Sequence, residues 1–567
     1  MELSIRQRGL VLLLTGLFAV IGVYAATRVP IDAVPDVTNI QVQIITAAPA
    51  LGPVDVEQYV SFPVETSMSG MPGVEEIRSM SRPGISVVTV VFSDATDLYF
   101  AREQVNQRLA QAREAIPAEY GSPQLGPVSS GLGEVLHFEV RSPGCESVGG
   151  APPKATTPCT SLMDRRTLLD WHIAPRLRLV PGVVEVNTFG GEAKAIEVEI
   201  DPERLSAARV GIPEVLAALE KNHLSVGGAY MIDGRENVSI RGEGRIRQPD
   251  DLNDVVIVNR GDRTPLYLRD VATPRYAAKV RYGAVTRDGR GEAVAGIVMM
   301  LVGANSGEVV SNAKAEIADI QKSLPPGVSI DIYYDRTDLV HRTIRTVSTN
   351  LLEASALVVF VLFLTLANLR AGSLVALAIP LALLGVFVGM WLGGVSGNLL
   401  SLGAIDFGLV VDGAIIIVEN AQRHLAEKRA ELGRVLTDAE RRTVVLDAAK
   451  EVRGATAFGE AIIALVYVPL LALQSIEGRM FRPMALTVIF ALAAAFVLSL
   501  TLVPALASIV LSRDAEDKPS PFLRLAARVY QPLLHRAVAH PRIIAAASVL
   551  AVGASVAIFS QMGREFL

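Results

Sequence analysis

The sequence predicts an α-helical polytopic membrane protein of about seven spans, carrying a large α+β domain of split βαβ (ferredoxin-like) modules outside the membrane. Three observations carry this. Half of the 567 residues are hydrophobic and only 20% are charged, yet the apolar residues fall in long pure runs that flank one long polar stretch. Each run is near the roughly 20 residues needed to cross hydrocarbon. The polar stretch, from 28 to 340, alternates strand-like and helix-like patterns.

The candidate spans are about 10–27, 346–367, 371–393, 397–419, 456–474, 484–512 and 543–560. Arg6 and Arg8 precede the first, as in a signal peptide, but no small-residue cleavage site follows and more helices come later. It reads as a retained helix. The connection 420–455 holds eight Lys and Arg residues and 513–542 holds six, whereas 393–398 has none and 475–483 only Arg479 and Arg482. Basic loops stay inside. The N-terminus is therefore expected in the cytoplasm and the 28–340 stretch on the outer side. The 420–455 charges are equally compatible with a solvated helical face, since Asp and Glu alternate with the bases there.

Within the outer stretch, apolar alternation at 41–46 predicts a strand, 53–69 a helix opening with Pro53, and 85–92 a second strand. A helix at 97–115 closes the unit before Ile116-Pro117. The same order recurs at 135–180 and again at 292–333, where a strand at 295–302 leads into a helix at 306–323 and a strand at 328–334. The self-similarity is one of pattern, without a repeated residue motif.

The two cysteines, Cys145 and Cys159, bracket a segment of Gly, Pro, Ser and Thr that reads as a surface excursion. In an oxidising compartment a disulfide closing this short loop is the natural pairing, stabilising by about 3 kcal/mol on the chain-entropy account. Metal binding by the pair is disfavoured, because no local Cys or His completes a tetrahedral set.

The run from Asp406 to Asn420 places Asp406, Asp412 and Glu419 inside an otherwise apolar, helix-length segment. An ionised Asp at the centre of a membrane helix costs about 2.5 to 3.5 kcal/mol on insertion scales, so such groups are protonated, paired or beside a wet path. They suggest a proton relay. At roughly 100° per residue, Asp412 and Glu419 lie within about 20° of each other, while Asp406 sits about 120° round the helix. No Lys or Arg falls in the central parts of the seven spans, so these carboxylates are expected to lack a basic partner within the chain. A soluble amphipathic helix is disfavoured by the Leu, Ile, Val, Gly and Ala that fill the run.

Together, Arg28-Val29-Pro30-Ile31-Asp32-Ala33-Val34-Pro35-Asp36, Pro63-Val64-Glu65, Pro181-Gly182-Val183 with Gly190-Gly191, Asp201-Pro202, and Tyr334-Asp335-Arg336 before Asn350-Leu351-Leu352-Glu353 resemble the resistance-nodulation-division (RND) efflux transporters. The resemblance runs from end to end. The span with Asp406, Asp412 and Glu419 resembles the signature of the heavy-metal subgroup, the cobalt-zinc-cadmium and copper-silver pumps. Drug-exporting relatives carry adjacent aspartates in this helix, whereas here Val411 precedes Asp412.

The resemblance implies a transporter, not an enzyme, in a bacterial inner membrane. Asp412 would be the main proton carrier, with Asp406 and Glu419 as relay partners, and protons moving inward would drive a cation outward. The cargo would be zinc, cobalt or cadmium, or else copper or silver. No cofactor is expected beyond the coupling protons. Gly131-Leu132-Gly133-Glu134 resembles a stretch in which a Glu can join the proximal metal site; His137 is a weaker candidate, because residues 134 and 137 alternate to opposite faces of a regular strand. Met390, Met480 and Met484 sit in or beside spans, but methionines here are more simply packing residues.

The implied partners are a periplasmic adaptor, an outer-membrane channel, lipid and two further copies in a homotrimer of the complete pump; nucleic acid is not expected. The implied domains are a cytoplasmic N-terminus and first span (1–27), porter subdomain 1 (28–133), porter subdomain 2 (134–178 and 276–335), a docking subdomain (179–275), spans two to six (336–512), a cytoplasmic connecting helix (513–542) and span seven (543–567). Full-length relatives hold two such halves, so the expectation is an N-terminal half that lacks the partner residues of the second. A drug or hydrophobe exporter and a non-transporting interaction half remain as alternatives, the low aromatic content weighing mildly against the former.

Overall fold

The structure is a computed structural model. It describes residues 1–567 except 50, 146–158, 224, 260–263, 282, 290, 367, 513–520 and 562–567. Helix α1 (Arg8–Arg28) is apolar along its length and ends on Arg28. Beyond it the chain meets the loop between the third and fourth spans: the Asp32 amide donates to Gly397 (2.9 Å) and the Gly397 amide to Pro30 (2.9 Å).

The first sheet is built from β1 (Ile40–Ala47), the helical segment α2 (Pro53–Val56, a π turn at Glu57–Ser61, then Phe62–Met68), β2 (Val74–Arg82), β3 (Ile85–Phe92), α3 (Leu98–Ala115) and β4 (Gln124–Leu125). Its strand order is β2-β3-β1-β4, antiparallel throughout. Alternation in β1 turns Val42 and Ile44 onto Val56, Val60, Val64 and Met68 of α2 and Val105 and Leu109 of α3. Asp97 starts α3 by accepting from the amides of Tyr99 (3.0 Å) and Phe100 (2.9 Å).

The second sheet begins with β5 (Glu134–Arg141), then α4 (Leu162–Leu168, a π turn at Leu169–Ile173, then Ala174–Arg178) and β6 (Val183–Gly190). A small unit follows: β7 (Lys194–Ile200), α5 (Pro202–Ala208), α6 (Ile212–Asn222), the hairpin β8 (Val226–Asp233) and β9 (Glu236–Gly242), then β10 (Val256–Val258), β11 (Leu266–Tyr267) and β12 (Ala272–Ala278). Its core is Leu205, Val215, Leu252, Leu268 and Val271, while every residue of β8 and β9 is exposed. The chain returns through β13 (Val285–Thr286), β14 (Glu292–Met300), α7 (Ser306–Gln321) and β15 (Ser329–Asp335).

The 135–180 and 292–333 patterns are halves of one sheet, because β14 lies between β5 and β6 and β15 covers the other edge of β5. One expectation changes here. The segment β6, grouped in the sequence reading with 179–275, pairs along β14 from Val294↔Gly190 to Met300↔Val183. The reason is the composition of β14: an apolar run suits a strand paired on both sides, and Gly296 leaves room for the Phe138 ring, whose Cζ a Cβ would meet at 2.3 Å.

The helical part comprises α8 (Arg336–Leu366), α9 (Leu369–Gly393), α10 (Leu399–Gly403), α11 (Phe407–Leu432), α12 (Asp438–Tyr467), α13 (Ser475–Leu500), α14 (Leu502–Val510), α15 (Pro521–Ala539) and α16 (Pro541–Gln561). Among the described residues seven helices are long and apolar enough to cross a membrane: α1, α8, α9, α10 with α11, α12 with its extension to Ala472, α13 and α16. The 484–512 span of the sequence reading is broken at Thr501. Pro504 cannot donate to the carbonyl of Leu500, which instead accepts from Ser4 Oγ at 3.4 Å.

Small residues let the helices approach closely, as at Gly385, where a Cβ would lie 2.4 Å from the Ala494 Cβ. The Asp94 carboxylate, in the turn after β3, accepts from the Ser475 amide (3.0 Å) and from Arg479 at the start of α13. The sheets, the 393–398 loop and the 474–475 turn therefore share one end of the bundle. The opposite end carries the α11–α12 turn, where Arg441 donates to the carbonyl of Leu511 (3.3 Å).

Candidate functional site

Helix α11 buries Val411, Ala414, Ile417, Val418 and Ala421 and leaves Asp412 and Glu419 exposed on its other side. The heptad spacing thus puts both acids on one stripe, which continues to Arg423 and Glu427. Asp406 is placed differently from the expectation. It lies before the first helical turn as the N-cap, its Oδ1 accepting from the Gly408 amide at 2.8 Å, so it does not sit on a helical face at all.

A second charged group was missed. Glu460 of α12 lies with an Oε1 that would be 2.1 Å from a Cβ on Gly413, the residue after Asp412. Arg453, one heptad earlier, brings Nη1 to 3.5 Å from Glu460 Oε2 and donates from the same nitrogen to Ser499 Oγ (3.0 Å). Its guanidinium lies 4.2 Å from the centre of the Phe496 ring. The expectation of no basic residue near the span acids is therefore corrected: the sequence reading began this span at 456, whereas α12 runs without a break from Asp438. The readable signal was a Glu within an apolar run and an Arg seven residues before it, the same spacing that joins Asp412 to Glu419.

Nearer the turn, Asn420 is buried and its Nδ2 donates to the carbonyl of Ala448 (2.9 Å) and to Glu451 (3.1 Å), which also contacts His424 (2.8 Å). These bonds pin α11 against α12.

In the second sheet, Glu134 and His137 come together, contrary to strand parity. Val135 and Leu136 are consecutive yet both fully buried, and the pairing with β14 slips between Leu136↔Val298 and Glu134↔Met299. That is a bulge. It brings Glu134 Oε2 to 3.2 Å from His137 Nε2, with the imidazole against the rings of Tyr333 (5.7 Å) and Tyr334 (4.7 Å). Glu134 is half-exposed. Among the described residues no group of three or more His, Cys, Asp or Glu side chains is arranged to hold a metal ion, so the pair offers at most two donors. Met390 is fully buried in the helical core, as packing requires.

Just before this pair, Leu132 accepts from Arg336 at the start of α8, and Arg336 also holds Asp32. Farther along the same face of β5, Arg287 donates to Glu139 (2.6 Å) and Asp331 (2.7 Å), bonds that raise its pKa above the usual arginine range. Cys145 and Cys159 are joined in a disulfide with their Cα atoms 4.9 Å apart, beside a cavity of about 310 Å³ lined by Glu139, Arg165 and Arg287 among others. The excursion between them, 146–158, lies outside the described residues.

The cobalt-zinc-cadmium resistance protein CzcA of Cupriavidus metallidurans is 42% identical over 564 residues, covering 100% of this chain and 52% of that protein. The nickel and cobalt resistance protein CnrA of the same organism is 42% identical over 582 residues, covering 100% and 54%. An X-ray crystal structure of a heavy metal efflux pump superposes with a TM-score of 0.85 at 31% identity, covering 100% of this chain and 52% of that one. The chain spans about half the length of the curated relatives it matches. The AcrB/AcrD/AcrF family matches residues 1–567, and the chain belongs to that family of RND membrane transporters, alongside its heavy-metal efflux members.

Proposed function

We propose that the protein exports heavy-metal cations across a bacterial inner membrane, driven by protons moving inward, as the inner-membrane part of a tripartite pump. The observation that carries this is Asp412 and Glu419, one heptad apart on the exposed stripe of an otherwise apolar helix. Groups that expensive to keep in hydrocarbon serve an ion or proton path. Asp412 is the main carrier, with Glu419 on the same stripe and Asp406 at the helix start as its partners in the relay. Each charge crossing 100 mV supplies about 2.3 kcal/mol, so a few protons sustain a steep metal gradient.

The cargo is zinc, cobalt or cadmium in preference to copper or silver. Relatives named for cobalt, zinc, cadmium and nickel match at 42%, and the oxygen and nitrogen donors of Glu134 and His137 suit those metals better than a thioether set. Glu134 is the ligand, with His137 as its neighbour in the bulge; further donors come from residues beyond this pair. Each outer sheet is a split βαβ module acting as a porter subdomain, supported by the shared β-α-β-β-α-β order. The β7–β12 unit docks the adaptor and channel, the complete pump works as a homotrimer, and the N-terminus faces the cytoplasm.

The test is zinc resistance, and zinc-dependent proton flux in inside-out membrane vesicles, for cells carrying the complete gene with Asp412→Asn. The amide keeps shape and cannot cycle a proton. Loss of both at unchanged protein level is expected, and full resistance overturns the reading.

A further inference from the structure

Glu460 and Arg453 are ill explained as a structural ion pair. Both are nearly buried, with side chains 10% and 11% exposed, yet they meet through a single contact of 3.5 Å where a bidentate arrangement would bring two parallel bonds near 2.8 Å. Glu460 Oε2 and Arg453 Nη2 have no hydrogen-bond partner among the described residues. A buried pair kept only for stability is often matched or bettered by apolar residues of similar size. A pair with an open acceptor and an open donor is instead suited to change its protonation or its partner.

Its position says which partner. The Glu460 carboxylate rests against the bare Cα of Gly413, and any side chain there would occupy the same space, since a Cβ would meet Glu460 Oε1 at 2.1 Å and Ser499 Cβ at 3.7 Å. The glycine admits the carboxylate to the backbone immediately next to Asp412. Among the described residues, the charged groups that interact with Glu460 are Asp412, next to Gly413 on α11, and Arg453 of its own helix, while α13 brings the uncharged Ser499 and Phe496 against Arg453.

We propose that Glu460 is a further proton-binding residue, to which Asp412 passes its proton, with Arg453 as the fixed positive charge that keeps the three groups neutral together before and after the transfer. This rests on the proton-coupled reading above. Before transfer Asp412 is a carboxylic acid and Glu460 a carboxylate. The Asp412 O–H bond breaks as an O–H bond forms on Glu460, directly or through one water, leaving Asp412 as the carboxylate. Arg453 stays protonated throughout, so the net charge of the three groups is unchanged. Release of the Glu460 proton toward the α11–α12 turn restores its ion pair with Arg453.

The test uses inside-out vesicles from cells expressing the complete gene, with Zn²⁺ as the probe and flux expressed per molecule of accumulated protein. Glu460→Gln is expected to lower zinc-coupled proton flux at least about a hundredfold, the lower end of what proton-transfer residues contribute. Glu460→Asp is expected to restore flux with a displaced pH profile, which a purely structural residue does not do. Wild-type flux and pH profile in Glu460→Gln, with Asp412→Asn inactive, overturn this proposal and leave the proposed function standing; an active Asp412→Asn overturns the reading on which it rests. Should Glu460→Gln fail to accumulate, Arg453→Met with Glu460→Leu removes both charges together. A double variant that accumulates and transports overturns the proposal, and one that accumulates without coupled flux supports it.

Discussion

Arg336 grips Asp32 from 304 residues away in sequence, Nη2 lying 2.9 and 2.8 Å from the two carboxylate oxygens and Nε 3.2 Å from Oδ1. Asp32 follows α1, Arg336 begins α8, and Arg336 also donates to Leu132, two residues before Glu134. One guanidinium therefore ties two helices of the membrane part to the strand that carries the candidate metal ligand. Arginine serves here because its planar fork reaches several acceptors at once.

Arg336→Leu should destabilise the protein by about 3 kcal/mol or more, because it strands a partly buried carboxylate and a carbonyl. The check is thermal unfolding of the detergent-purified full-length protein. Adding Asp32→Asn should recover part of the loss by removing the stranded charge. An unchanged midpoint in Arg336→Leu would show that the tie carries no stability.

The three acids of the α11 region should separate by role. Asp412→Asn should abolish zinc resistance, and Glu419→Gln should weaken it less. Asp406 caps the helix, so Asp406→Ala should lower stability by about 1 kcal/mol, whereas Asp406→Asn keeps a good cap and removes only the titration. Loss of flux in Asp406→Asn at unchanged stability assigns it to the relay. Wild-type flux there leaves it a cap.

Cys145 and Cys159 should resist alkylation after denaturation until reductant is added. A double Ser substitution should leave transport intact and lower stability of the second sheet by about 3 kcal/mol, the loop-closure value for a ring of this length. Free thiols in protein taken from an oxidising compartment count against the bond.

The Asp94 tie should be acid-labile. The hydrogen bond from Arg479 holds the Asp94 carboxyl below its ordinary value, ahead of the opposing effect of burial. A carboxylate depressed in the folded state contributes stability above its unfolded pKa of about 3.9, and that contribution fades as pH falls through the lower folded value. Hydrogen exchange at Ser475, whose amide Asp94 accepts, should be steady from neutral pH down to about 4, after allowance for the intrinsic rate, and lose protection below that. Asp94→Asn should show no such step.

The seven apolar helices were legible because length and hydropathy alone decide them. The pairing of β6 was not, since strand partners depend on contacts more than a hundred residues apart and no local pattern encodes them. Glu134 and His137 illustrate the same limit at the site: alternation separates them, and only the bulge at Val135, invisible in an apolar Val-Leu pair, reunites them. Glu460 was legible in principle. It went unread because Arg453, its partner, lay outside the span as bounded by hydropathy, and a charge pair within a helix lowers the very average used to find the helix.

The π turns in α2 and α4 set the phase of both helices. Buried residues recur every four positions in each, at Val56, Val60, Val64 and Met68, and at Arg165, Leu169, Ile173 and Leu177. On a regular helix of about 100° per residue, twelve positions turn the side chain about 120° away from where it began; one residue absorbed by the π turn brings it back to within about 20°. Winding Glu57–Ser61 as regular helix with every residue kept would therefore rotate Val64 and Met68 about 100° off β1, whereas removing one residue there would regularise the helix and leave their phase unchanged. That both sheets carry the same irregularity in the same helix is the kind of shared defect that a tandem duplication leaves behind after side-chain identity has been erased.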